Sequence, residues 1–250
     1  MKNLFLTAAF ALTASLAFAQ NNLDVTTQVG DGNYADVEQH GLDNDNQITQ
    51  TGDYNYAETY QVGWANDNTT SSTGDYNEVY VSQVGTFNVS TSTQFGDFNL
   101  ATVDQLGDDN YNSQLQIGDM NSADTTQDGV MNDTYQYQEG DFNTAISDQE
   151  GWYNYVDQTQ YGVSNLAIGI QDGDSNEIIQ YQSGSSNIEI GVQIGDYNYI
   201  DQWQVGSGNF ADDFQFGDDN FSFITQSGQD HTHIGTQIGD SNTMYVWQTN

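Results

Sequence analysis

The chain has 250 residues, with 36 Asp and Glu against a single Lys, and no Arg, Cys or Pro. This balance excludes a basic patch for nucleic acid or acidic lipid and excludes disulfide stapling. It also removes the cationic group that an oxyanion or phosphate site needs, so the composition points away from catalysis. The charges repel one another unless cations screen them. Low hydrophobicity with high charge is also the composition of disordered chains. Here, however, 13% of the residues are aromatic and the pattern is strictly periodic.

In chain order, Lys2 gives a positive start, residues 4–16 are a short apolar run, and Ala17-Phe18-Ala19 is a small-x-small cleavage signal. Residues 1–19 therefore read as a secretory signal peptide, too short to span a bilayer comfortably. A short N-terminal segment, 20–27, follows, and the repeat region occupies 28–250. Once Lys2 is removed, no Lys or Arg remains. Export means that the missing Cys does not reflect a reducing compartment.

From Gly30 to Gly239, 20 glycines recur at a constant spacing of 11. Asn stands three residues after each Gly in 19 of the 20 units, His231 being the exception. Gln stands two residues before each Gly in 19 of the 20, Ser72 being the exception. Strand side chains alternate faces. Asn33, Ala35, Val37 and Gln39 therefore share one face, and Tyr34, Asp36 and Glu38 the other. Each unit predicts a strand of about seven residues and a turn of about four. One strand cannot stand alone, so two units close a rung of 22 residues. Small apolar residues (Ala35, Ala57, Val79, Ala101) then face small polar ones (Asn46, Asn68, Ser90, Asn112) across each rung. The fold class predicted is all-β: a β-solenoid of about ten rungs, about 48 Å long at 4.8 Å per rung, and cross-β on polymerisation.

Stacking places like amides over one another. The ladder glutamines are expected at Gln28, Gln39, Gln50, Gln61, Gln83, Gln94, Gln105, Gln116, Gln193, Gln237 and Gln248. The ladder asparagines are expected at Asn33, Asn44, Asn55, Asn66, Asn77, Asn88, Asn99, Asn110, Asn198 and Asn242. Gly30, Gly41, Gly52, Gly63, Gly74, Gly96, Gly118, Gly195 and Gly239 are the turn glycines. A buried amide left without a partner costs about 1–3 kcal/mol, which punishes a slip of one residue. Asp follows Gly in 11 of the 20 units, as suits a turn.

After residue 160 the outer positions become aliphatic. Leu166, Ile168 and Ile170 stack two units from Ile188, Ile190 and Val192, followed by Phe210 and Phe214, while Gly169, Gly191 and Glu189 occupy inward positions. Two readings stand: an exposed apolar patch for lateral packing, or flipped units that bury the aliphatics and expose Glu189. The turn carboxylates suit solvated turns with weak Ca²⁺ or other counter-ion binding, but the period is not that of a calcium roll. His231 and His233 lie two apart on one strand with no third ligand in view. No metal site and no required cofactor are expected.

With its Gln-x4-Asn-x5-Gln pattern, the chain resembles the curlin repeat family, whose units share Gln-x-Gly-x-x-Asn-x-Ala-x-Val-x-Gln. The strings at 28–39 and 94–105, QVGDGNYADVEQ and QFGDFNLATVDQ, carry the motif almost whole. The resemblance covers about residues 28–248. It implies a secreted subunit that polymerises into extracellular amyloid fibres of the biofilm matrix, at the cell surface, for adhesion. It also implies as partners copies of itself, a minor nucleating subunit and an outer-membrane secretion channel, and a left-handed coil. The regular last units favour a major subunit. The chain departs from the family's familiar members in having about twice their rungs, no basic residues, and only about eight residues where a Gly-rich leader stands. A monomeric, cation-binding adhesin solenoid is the alternative. An ice-binding face would need a uniform array of Thr, and the outer residues are too mixed.

Overall fold

The computed structural model describes residues 21–250; the signal-peptide reading lies outside them. Twenty-one strands, β1 (Leu23–Val29) to β21 (Thr243–Thr249), wind into one parallel solenoid. Odd-numbered strands form an 11-stranded sheet and even-numbered strands a ten-stranded sheet. Every pairing is parallel with an offset of 22 residues, as in Gln39 with Gln61 and Gly41 with Gly63. The all-β solenoid of about ten 22-residue turns is thus the fold. No helix is present among the described residues, so none is long and apolar enough to cross a membrane.

β1 begins at Leu23 and pairs in register with β3 (Asp45–Thr51). Residues 23–27, read from sequence as a short leading segment, are therefore part of the first rung. Several strands also run to nine residues rather than seven, such as β2 (Tyr34–Leu42), because Gly and its successor join the ladder.

The core between the sheets is narrow and its small residues are matched. The even sheet contributes Ala57, Val79, Ala101, Ala123, Ala145 and Ala167, all buried. Opposite them the odd sheet buries Asn46, Asn68, Ser90, Asn112 and Thr134, then Val156, Ile178 and Ile200. Where the odd sheet grows, the even sheet shrinks: Val156 lies beside Gly169, and Ile178 beside Gly191. The volume is thus redistributed between the two sheets, as close packing demands. β14 (Leu166–Asp172) and β16 (Ile188–Ile194) keep the common register. Leu166, Ile168, Ile170, Ile188, Ile190 and Val192 point outward and are at least partly exposed, and Glu189 is inside. The flipped reading fails because Asn165, Gln171, Asn187 and Gln193 all sit in ladders. A one-residue flip would break four of them at once.

Candidate functional site

The chemistry-bearing groups form continuous rails rather than a pocket. On each sheet the Gln before the turn points inward, and its Nε2 donates to Oε1 of the Gln one rung on. The distances are 2.7 Å for Gln28 to Gln50, 2.8 Å for Gln39 to Gln61 and Gln61 to Gln83, and 2.9 Å for Gln83 to Gln105. Farther along, Gln94 meets Gln116 at 3.0 Å, Gln193 meets Gln215 at 3.0 Å, and Gln215 meets Gln237 at 2.7 Å. Gln226 meets Gln248 at 2.6 Å. The same Nε2 also reaches a backbone carbonyl across the coil, as Gln105 does to Val89 at 3.1 Å. Both amide protons are thus used inside the wall. Ser72 interrupts one rail, and its hydroxyl donates to Gln94 instead, at 3.0 Å.

The Asn rail runs the other way. Asn99 donates its backbone N–H and its Nδ2 to Asn77 Oδ1 at 3.0 and 3.1 Å, and Nδ2 also reaches Gly118 O at 2.8 Å. The pattern recurs at Asn55, Asn66, Asn77 and Asn88, and Asn110 donates both ways to Asn88. It begins at Asn44, which donates to Asn22, and closes with Asn198, Asn220 and Asn242. Asn33 supplies the acceptor for Asn55. The turn glycines stack with positive φ and give their carbonyls to these asparagines. His231 stands in the Asn rail: its backbone N–H donates to Asn209 Oδ1, and its ring meets Ser227 O. His233 is on β20 (Thr232–Ile238), and burial holds its ring below the usual imidazole range. No three His, Asp or Glu gather to hold a metal among the described residues.

Three features escape a reading built on the Gly spacing alone. A third Gln rail runs through Gln114, Gln136, Gln158, Gln180 and Gln202, with spacings of 3.0, 2.9, 2.8 and 2.8 Å. Its signal is the string Gln-x-Gln, returning every 22 residues from 114 to 204.

Second, the turns are of two kinds. Nine are bends, and each is Gly-Asp: Gly30, Gly52, Gly74, Gly96 and Gly118 on one edge, then Gly173, Gly195, Gly217 and Gly239 on the other. In the bends the Asp carboxylate takes a backbone N–H one rung back. Asp31 donates to Asp53, and Asp53 to Asp75, both at 2.8 Å; Asp174 donates to Asp196 at 2.9 Å. At the remaining turns the Gly extends the strand pairing. Third, the residue before each ladder Asn is left-handed. Tyr54, Tyr76 and Phe98 have φ of 57°, 57° and 59°, a cost of roughly 1–2 kcal/mol each. Their rings stack at 5.1 and 5.0 Å along the edge, which offsets part of it.

Two carboxyls are buried inside the coil. Glu189 sits in the Ala column between Ala167 and Ala211, with neither oxygen hydrogen-bonded. Burial drives its pKa well up, and Asp201 nearby adds to this. Burial likewise pushes Asp213 up to about 6. The unfolded chain ionises these groups near pH 4, so a raised folded pKa makes the fold most stable below that value. Stability is then lost as the pH rises through the folded values, for Asp213 between about 4 and 6. Glu189→Ala, matching its Ala neighbours, should raise the unfolding midpoint at pH 7, by about 1–2 kcal/mol. It should also flatten the pH profile; an unchanged profile in chemical denaturation would mean that the carboxyl finds a partner in solution.

These rails define the class: a tandem-repeat β-solenoid whose rungs are locked by side-chain amides. A family model, the curlin associated repeat, matches residues 20–52. Those residues are similar to the curlin associated repeat, and the units beyond residue 52 continue the same motif in phase. Among curated proteins no match was found. The repeat and the solenoid fit a curli-type structural subunit.

Proposed function

We propose that this chain is a secreted structural subunit that adds end to end into curli-like amyloid fibres of a biofilm matrix, serving adhesion and aggregation and performing no catalysis. One observation carries the reading. The end strands β1, β2, β20 and β21 each pair on one side only, and of their ladder glutamines Gln28, Gln39 and Gln248 are exposed or half-buried, while Gln237 stays buried. An open sheet edge with unfinished hydrogen bonds is a template for another strand, and in-register amide ladders are what cross-β stacks reuse. A cell-surface location, a nucleating subunit and an outer-membrane export channel belong to the same reading. The outward patch of Leu166, Ile168, Ile170, Ile188, Ile190 and Val192 is assigned to lateral packing of fibres. Ca²⁺ and other cations act as weak counter-ions, not as cofactors.

The test is fibre diffraction and seeding on residues 20–250. A meridional reflection near 4.7–4.8 Å, with growth accelerated by preformed fibres, supports the reading. A soluble β-rich monomer that ignores seeds at every salt concentration overturns it and favours a monomeric cation-binding adhesin. Screening matters to the rate. Bringing together chains with 36 carboxylates and no Lys or Arg is repulsive at low ionic strength. Growth should therefore quicken roughly tenfold or more from 10 to 150 mM salt, where the Debye length falls from about 30 to about 8 Å. A flat rate would show that charge does not limit assembly.

A further inference from the structure

We propose that successive copies of this chain stack head to tail with a rotation of about half a turn about the solenoid axis. The even sheet of one copy then continues as the odd sheet of the next. The inference rests on the self-assembly reading and specifies its register.

Strand count supplies the first argument. Strands alternate between the sheets, each half a rung above the one before, and both β1 and β21 lie in the odd sheet. An unrotated copy would set its β1 over β21. Its β2 would then sit two rungs above β20, leaving a strand-wide gap with unpaired backbone on both sides, which is costly. After a half turn, β1 of the next copy lies over β20 and β2 over β21, and no gap remains. The rotation is allowed because both halves of every rung are eleven residues long, so the cross-section has an approximate two-fold axis.

Turn type supplies the second. The bend turns with their Asp rail occupy one edge from Gly30 to Gly118 and the opposite edge from Gly173 to Gly239. A half turn brings the Gly239 edge beneath the next copy's Gly30 edge, so that bend meets bend and the carboxylate rail runs on through the joint. Without rotation, each edge would set a bend against an extended turn. The mid-chain exchange of turn types is what a subunit with an odd number of strands needs if its two ends are to match.

The atoms supply the third. Within a rail, Gln Nε2 donates to the next Oε1, and Asp backbone N–H donates to the next Oδ1. The last rung therefore ends on the Nε2 of Gln237 and Gln248, and the first begins on the Oε1 of Gln28 and Gln39. In the rotated register Gln237 meets Gln28 and Gln248 meets Gln39. Asp240 N–H likewise meets Asp31. Inside the coil, His233 Nε2 is buried and unpartnered among the described residues. The same register sets the carboxylate of the next copy's Asp24 over it.

The chain has no Cys, so engineered pairs report the register directly. The half turn places Thr236 beside Thr27 of the next copy, both outward; the unrotated stack places Trp247 there instead. Parallel neighbours lie within disulfide reach. Polymers of the double variants T27C/T236C and T27C/W247C are grown reduced, sedimented, oxidised and run denatured without reductant. The expected result is a ladder of covalent multimers from T27C/T236C and monomer from T27C/W247C. Single variants mixed in an excess of unaltered chain should give dimers from T27C with T236C, which guards against a double variant that fails to grow. A ladder from T27C/W247C, or no cross-link from either pair in sedimented polymer, overturns the half turn while leaving self-assembly intact. If the unaltered chain forms no polymer, both readings fall.

Discussion

Replacing Gly107 with Ala should unfold the middle of the solenoid or cost at least about 3 kcal/mol. Gly107 has φ of +120°, a region that L side chains rarely adopt, and an added Cβ would overlap the carbonyl oxygen of Gly129 on the next rung. That oxygen cannot move aside, because it accepts from Asn110 Nδ2 at 3.0 Å. The strain and the clash therefore act together, and relaxing one breaks the Asn rail. Gly191→Ala is the control. Its φ is not positive, and the new Cβ would lie 3.4 Å from Ile178 Cγ2, so the change should stay within about 1 kcal/mol. Denaturant midpoints of the two variants decide the matter. Equal losses would show that the turn glycines are not special.

The second large effect is expected at Gln105. Its Nε2 donates to Val89 O and Gln127 Oε1, and its Oε1 accepts from Gln83 at 2.9 Å. Gln105→Ala leaves Gln127 Oε1 and Val89 O without this donor in a dry wall, and opens a cavity. The expected loss is about 3–5 kcal/mol, together with slower fibre growth, and the paired change with Asn110→Ala deepens both. Asp104, one residue away, points outward and is exposed, so Asp104→Ala should change stability by about 0.5 kcal/mol or less. If the two sites behaved alike, the rails would contribute no more than ordinary surface groups.

Much of this was legible because the constraint is local and repeated. Asn33, Ala35, Val37 and Gln39 alternate with Tyr34, Asp36 and Glu38, and that alternation is enough to say which side of the wall each residue faces. The constant interval between glycines gives the rung. What was not legible depends on comparing units two apart rather than one apart. Gln158 looks like any polar residue until it is set beside Gln136 and Gln180. Asp31 and Asp174 both follow Gly, yet they lie on opposite edges, which only the order of strands in each sheet reveals. The inward place of Glu189 was ambiguous for a different reason. A carboxylate in an Ala column contradicts its own solvation preference, and the ladders at Asn187 and Gln193 overrule it.

The opposed sense of the two kinds of rail has an electrical consequence. Every Gln Oε1 on the two main rails accepts from its N-terminal side, whereas the Asn Oδ1 atoms accept from the Asn on their C-terminal side. The side-chain carbonyl dipoles of the Asn rails thus oppose, in part, those of the Gln rails, and parallel strands themselves add little net moment. A long helix accumulates partial charge at its tips; this coil accumulates much less. Added length therefore leaves the field at the growing tip almost unchanged, and the hundredth subunit meets nearly the same end as the first.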